Sequence, residues 1–400
     1  MKICVFGRSL PAHATGGMEL HIETLTAELV KQGADVTLIT TKHPSGQEFE
    51  SREGVKIYYL KGTLPGRYEG GYFRKSAEKF MQLNSAEKYD VIHSQSAGAY
   101  GVLASGLNKR LNIPGVVSLH GTSVDEIKTK LRLGFDLRSK ISLIKNLYNY
   151  LFKDKKYLRA ADAVIATSDS QIDVIMKYYG VSREKINLVY NGIDEELFTP
   201  GLFDAVAGGK YGISKGDPVV FALARLKKEK GVQNIITVAA RLKNTIPGIK
   251  LIIGGDGEYK ATLIKQARGL GLTDSIQFIG RVVYSDIPGL LNISKVFVNS
   301  TIRENGYDLT IPQAMASAKP VVASDIRSVF TVIESGKNGY IYPRNDLGAL
   351  EELVQKLLQD ETRAKAIGIA ARKTVEEKFS LRSMARNTMS VYNKIMENSK

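Results

Sequence analysis

Short β-branched and apolar runs alternate with amphipathic stretches from one end of the chain to the other. KICVFG is followed by MELHIETLTAELVKQG, whose apolar residues recur at helical spacing, and then by DVTLITT; VKIYYL, DVIHS, GVVSLH, AVIATS and INLVY come later. Apolar strands separated by helices predict a parallel sheet covered by helices on both faces. After NGIDEELFTP and a Gly-rich, Lys-containing spacer at 208–216, the pattern begins again with PVVFALA, GVQNIITVAARLKN, KLIIGG, ATLIKQARGLG, SIQFIG, VFVNS and PVVAS. The expected fold is α/β, with two doubly wound halves spanning 1–197 and 198–378. Residues 379–400 form a terminal amphipathic segment containing SLRSMARNTMSVYNKIME. In such sheets ligands lie outside the carboxyl ends of the strands, so the cleft between the halves is the expected site.

Composition agrees with this division. Four hundred residues, 43% of them apolar, suit two domains of about 200 residues each. The single cysteine, Cys4, lies inside the first apolar run, which excludes an intramolecular disulfide and fits a reducing cytosol. No stretch approaches the roughly 20 apolar residues of a spanning helix, so a cytoplasmic protein is expected, soluble or peripheral on a membrane face. No His/Cys cluster has metal-ligand spacing, and neither a metal nor a cofactor is expected. With 56 basic against 41 acidic residues the formal charge is +15, which favours anionic partners. Ten basic residues between Lys128 and Arg159 face only Asp136 and Asp154, so net +8 of that charge falls in this segment.

The strongest local constellation is LARLKKEKGVQNII, where Arg225 and Lys230 stand five apart between a strand end and a helix start at Gly231. Both cations can reach one pyrophosphate there. A departing diphosphate builds negative charge, and preorganised cations with helix N-terminal amides stabilise it without a metal. A solvated basic loop is the plain alternative.

ARLKKEKG resembles the Arg-x4-Lys-Gly phosphate motif of the retaining glycosyltransferases of family GT4, and further matches follow in the family's order. The resemblance implies a GT-B fold, two Rossmann-like domains facing a cleft, with the terminal helix crossing back onto the first domain. It implies a nucleotide diphosphate sugar donor and transfer with retention. Gly16 and Gly17 in GGMELH match the family's Gly-Gly loop beside the donor phosphate. His120 in GVVSLHGTS matches its His-Gly, with a hydrogen bond to the transferring sugar as the implied role. His93 in DVIHSQS either satisfies the core or lines the cleft. Asn191 and Gly192 in YNGID match a hinge signature. Gly254, Asp256 and Gly257 in IIGGDGE resemble the turn beside the nucleotide, and FIGRV the segment on the base, with Arg281 and Val282 nearest.

Family members carry two glutamates separated by seven residues, the second just before Ala-Met-Ala. This chain reads RENGYDLTIPQAMASAKPVVAS. The second position is therefore Gln313, which can still hydrogen-bond a ribose diol. The first is Asn305, one place after Glu304. Either the loop shifts and Glu304 faces the sugar, the favoured reading, or Asn305 serves as a neutral substitute. Gly306 and the amides of Asp308 and Leu309 then lie near the diphosphate and the sugar.

The segment 124–160 alternates Leu, Ile, Phe and Tyr with Lys and Arg at helical spacing. Such a helix can lie on an anionic membrane, each basic residue contributing about 1 kcal/mol; an ordinary solvated helix is the alternative. The acceptor is expected to be lipid-linked, a saccharide or a small molecule. Nucleic acid is not expected, because no aromatic-interleaved basic sheet accompanies the charge.

Overall fold

The computed structural model describes residues 1–14, 16–124, 127, 143–144, 146–302 and 308–398. It divides into two compact units, Met1–Gly192 with Leu381–Lys400, and Ile193–Ser380.

The first unit holds β1 (Lys2–Phe6), β2 (Asp35–Thr41), β3 (Phe49–Arg52), β4 (Val55–Leu60), β5 (Val91–Gln95), β6 (Gly115–Leu119), β7 (Ala163–Ala166) and β8 (Ile186–Leu188). They form one sheet in the order β3-β4-β2-β1-β5-β6-β7-β8. Every neighbour pair is parallel except β3 with β4. That exception departs from the wholly parallel pattern expected from sequence. Glu53 and Gly54 both take positive φ, the geometry of a two-residue hairpin turn, and FESR is a half-exposed edge strand with no apolar run to announce it. β1, β2, β5, β6 and β7 are buried almost throughout, as expected of strands covered on both faces.

The second unit contains β9 (Val219–Leu223), β10 (Lys250–Gly254), β11 (Ile276–Gly280), β12 (Val296–Asn299), β13 (Val321–Ser324) and β14 (Tyr340–Tyr342). They pair in parallel in the order β11-β10-β9-β12-β13-β14. In each unit the first strand sits inside the sheet, with later strands added on both of its sides. β1 lies between β2 and β5, and β9 between β10 and β12. Crossovers that leave a central strand to either side open a crevice at its carboxyl end.

The helix Leu381–Glu397 belongs to the first unit although the second lies between them in sequence. Its Met384, Ala385, Val391, Tyr392 and Ile395 share a core with Ile22, Leu25 and Leu29 of the helix Gly17–Lys31. Gly192 makes the start of this packing possible: a Cβ there would lie 2.8 Å from Leu381 Cα.

Ending the chain at Ser380 removes one wall of that core. The shortened protein is expected to lose protease resistance within 1–192 while 193–380 survives, a difference that mass spectrometry of the limited digest would register.

Candidate active site

In the second unit the loops leaving β9, β10 and β12 are knitted together at the carboxyl edge of the sheet. The Ala224 amide donates to Gly254 O at 3.1 Å, and the Leu226 amide to Asp256 O at 2.9 Å. Gly255 holds φ +119, and a Cβ there would stand 1.8 Å from Ala224 O; at Gly257 the nearest atom would be Leu226 O at 2.5 Å. Glycine is required at these positions because backbone presses on backbone. Val282 follows β11, and its Cγ2 lies 2.9 Å from where a Gly254 Cβ would be. Arg281 beside it is exposed.

Arg225 follows β9 and is exposed, with no ion-pair partner among the described residues. Lys230 ends a 3-10 turn, Lys228–Lys230; Gly231 then takes φ +67 and caps the helix Val232–Leu242. A Cβ on Gly231 would meet Ser300 O at 1.9 Å, so this glycine lets the loop after β12 cross the helix start. The Ile302 amide donates to Glu229 O at 2.9 Å, and Ser300 Oγ donates to Gly231 O at 2.6 Å. Arg225, Lys230 and a helix amino end thus belong to one short loop leaving β9, an arrangement that favours an anion.

Lys230 already holds one carboxylate. Lys230 Nζ donates to Asp308 Oδ2 at 2.9 Å, Asn299 Nδ2 donates to the same oxygen at 3.0 Å, and Thr310 Oγ1 donates to Oδ1 at 3.0 Å. Burial pushes the Asp308 carboxyl up, but the Lys230 charge and these hydrogen bonds outweigh it and hold the group below the usual carboxylate range. The sequence motif offered the Asp308 amide, not its carboxylate, as the functional part. Leu309 then leads into the helix Thr310–Ala316, whose first turn accommodates Pro312. On that helix Gln313 is buried; its side chain hydrogen-bonds the Tyr284 hydroxyl, and Gln313 Oε1 has no partner among the described residues. Glu304, Asn305 and Gly306 lie outside the described residues, as do 125–126, 128–142 and 145 of the basic segment 124–160. Within what is described of that segment, Ile144, Leu147, Tyr148, Leu151 and Phe152 are exposed beside Lys153 and Lys156.

The first unit gathers histidines at the carboxyl edge of β1, β5 and β6. Gly16 is the extended N-cap and Gly17 the first residue of the helix Gly17–Lys31, on which Glu19 accepts from Ser9 Oγ at 2.6 Å and His21 faces inward. The rings of His21 and His120 meet edge to face, 4.5 Å between centroids. Neither His21 nitrogen has a partner among the described residues, although both are buried. Such atoms await a polar ligand or cost stability. His120, directly after β6, is partly exposed and bonds Gln95 Oε1 through Nε2 at 2.6 Å. His93 is wholly buried and is bonded to Ser118 and Tyr392, which resolves its two readings in favour of the core. Burial lowers His120 to about 4; burial, then the His120 charge, lowers His93 to about 3; burial, then His120 and His93, hold His21 well below its ordinary value. Sequence reading singled out His120 and missed His21, Gln95 and Gly255.

The comparisons bear on both units. Residues 15–197 match the profile of Glycosyltransferase Family 4, and residues 208–374 that of Glycosyl transferases group 1. The chain belongs to the GT4-type glycosyltransferases. Alpha-maltose-1-phosphate synthase of Mycolicibacterium smegmatis is 26% identical to it, over 99% of this chain and 100% of that one. Among solved structures, sucrose-phosphate synthase from Thermosynechococcus elongatus matches at TM-score 0.78 and 21% identity, over 99% of each chain. Anabaena HepE in complex with UDP and glucose matches at 0.73 and 21%, over 98% of this chain and 100% of that one. This glycosyltransferase thus has the GT-B fold, two Rossmann-like units. Among its described residues no helix is long and apolar enough to cross a membrane.

Two outcomes follow from the charges. A depressed imidazole is neutral in both states above its unfolded value of about 6.5. As pH falls below that, the unfolded chain takes up protons that the fold refuses, and stability is lost down to the folded values. His21→Phe should remove about one such proton, flattening the acid slope of the first unit's stability by about 1.4 kcal/mol per pH unit; calorimetry between pH 6.5 and 4.5 checks this. Asp308→Asn leaves Lys230 without its counter-charge. It should tighten inorganic pyrophosphate binding several-fold, measured by calorimetry at low salt, and lower the second unit's melting temperature.

Proposed function

We propose that this glycosyltransferase moves a hexose-type sugar from a UDP- or GDP-linked donor to a lipid-linked, saccharide or small-molecule acceptor, retaining the anomeric configuration. The observation that carries this reading is that Arg225, Lys230 and the amino end of Val232–Leu242 share one short loop at the carboxyl edge of β9. The donor's C1–O bond breaks with its electron pair passing to the diphosphate, and charge stabilisation at that oxygen lowers the barrier. The two cations do there what a divalent ion does in a metal-dependent transferase. The acceptor oxygen attacks C1 on the face the diphosphate leaves, and its proton goes to the departing phosphate oxygen. No covalent nucleophile is required.

The other residues take the roles implied by their motifs. Gly16 and Gly17 allow backbone to approach the donor phosphate, and Gly254, Asp256 and Gly257 shape the turn beside the nucleotide. Arg281 and Val282 lie nearest the base, and the unpartnered Gln313 oxygen is available to a ribose hydroxyl. His120 hydrogen-bonds the sugar, as does Glu304 or Asn305. The exposed apolar residues between Ile144 and Phe152, next to Lys153 and Lys156, support docking on an anionic, cytoplasmic membrane face.

The purified protein, given a panel of nucleoside diphosphate sugars with and without anionic vesicles and membrane extract, should release nucleoside diphosphate, and EDTA should leave the rate unchanged. Arg225→Ala and Lys230→Ala should each lower turnover by about two to three orders of magnitude; unchanged rates would sink the assignment. Thermal-shift binding of a nucleotide sugar without any release favours a second reading, a binding protein or membrane scaffold on this fold. The Asp308 carboxylate on Lys230 and the glutamine at 313 are the observations on its side.

A further inference from the structure

Behind His120 runs a line of buried polar groups that the reaction does not itself require. Tyr392, on the helix Leu381–Glu397, places its hydroxyl 2.5 Å from His93 Nδ1. His93 Nε2 lies 2.7 Å from Ser118 Oγ and 3.3 Å from Gln95 Nε2, and the Gln95 oxygen is 2.6 Å from His120 Nε2. Tyr392, His93, Gln95 and Ser118 are at most 2% exposed, whereas His120 opens to solvent.

With the Gln95 carboxamide placed as it is, nitrogen towards His93 and oxygen towards His120, donor and acceptor rules allow one direction through this arrangement. The Gln95 carboxamide presents nitrogen, a donor, to His93 Nε2, which must therefore accept; the Ser118 hydroxyl rotates to donate to the same lone pair. His93 then carries its proton on Nδ1 and donates to Tyr392 Oη. At its other end Gln95 presents oxygen, which accepts only from a protonated His120 Nε2. Which ring nitrogen of an imidazole is protonated is set by the bond the ring makes. Burial keeps His93 and His120 neutral, so each ring carries one proton whose position can be specified.

We propose that Tyr392, His93 and Gln95 are positioning residues: a hydrogen-bond relay from the C-terminal helix that fixes His120 as the Nε2–H tautomer, its Nδ1 lone pair left to accept. From the proposed function this takes only that His120 faces the sugar. The relay has a second self-consistent setting. Without the Tyr392 oxygen, the buried His93 Nδ1–H is orphaned, and an orphaned donor is costly. Moving that proton to Nε2 lets His93 donate to Ser118, but it sets two donors face to face at Gln95. The carboxamide turns, its nitrogen faces His120, and the His120 proton moves to Nδ1.

The test uses the full chain, which has five histidines, labelled with 15N in the imidazole rings and read by long-range 1H–15N correlation at neutral pH without ligand. His120→Gln assigns the signal. The wild type should show His120 protonated at Nε2. Tyr392→Phe should move the protons to His120 Nδ1 and His93 Nε2, and Gln95→Leu should leave His120 a mixture. Gln95→Glu, which keeps an acceptor on His120, should preserve Nε2–H. With the best donor sugar, Tyr392→Phe should lower kcat about 10-fold, the worth of one hydrogen bond, while KM for the donor holds. An unchanged His120 tautomer in both Tyr392→Phe and Gln95→Leu overturns the relay, as does a loss of melting temperature with no tautomer change. The tautomer signal needs no turnover, so a wild type that releases no nucleoside diphosphate sinks the functional reading and leaves the relay to be decided by the spectrum.

Discussion

Both candidate sites descend from the placing of each unit's first strand inside its sheet. A parallel strand must be left by a crossover, and when successive crossovers go to opposite sides the loops at the carboxyl end part. β9 has β10 on one side and β12 on the other, and its departing loop carries Arg225 and Lys230 into that parting. β1 stands between β2 and β5, and the loop that leaves it ends at Gly16 and the helix bearing His21. The glycines follow from the same constraint. Gly231 and Gly255 admit neighbouring loops to distances that no Cβ permits, so the edge of the sheet is closed by backbone.

Once the loops are fixed, charge decides what the second unit can hold. Lys230 is anchored by Asp308, and Asp308 is anchored in turn by Asn299 and Thr310, so the ammonium is oriented at the cost of part of its field. Arg225, exposed and without an ion pair among the described residues, keeps its full charge. The loop after β9 therefore presents one anchored cation and one exposed cation. The pair contributes positioning more than stability, because a partly buried ion pair gains little over its desolvation.

Most of the fold was legible because a strand covered on both faces must be apolar along its length, and the helices between show their period. The edge strands were not. FESR is half exposed, and YIY is only three residues long, so neither carries a pattern distinct from loop. Arg225, Lys230 and His120 could be singled out as candidates because each lies in a motif of consecutive residues. Gln95 could not, since its role depends on β5 and β6 lying side by side, with Gln95 paired to Ser118 across strands 23 residues apart. The Asp308 carboxylate was hidden for a similar reason: its partner Lys230 comes from the loop after β9, and Asn299 from the end of β12.

The least legible contribution is that of Tyr392, nearly 300 residues from His93 in sequence. Its helix reads as a simple amphipathic terminus, and its apolar face would pack equally well with phenylalanine. A hydroxyl is needed only because His93 brings a polar ring into that core, where an unanswered nitrogen is expensive. The terminal helix is thus tied to the first unit by packing and by one directional bond. Packing tolerates substitution by shape, whereas the bond also dictates which way every donor between Tyr392 and His120 must point. A core that must satisfy both conditions has fewer solutions than an apolar one, and the chain has placed that restriction directly behind the histidine that opens to solvent.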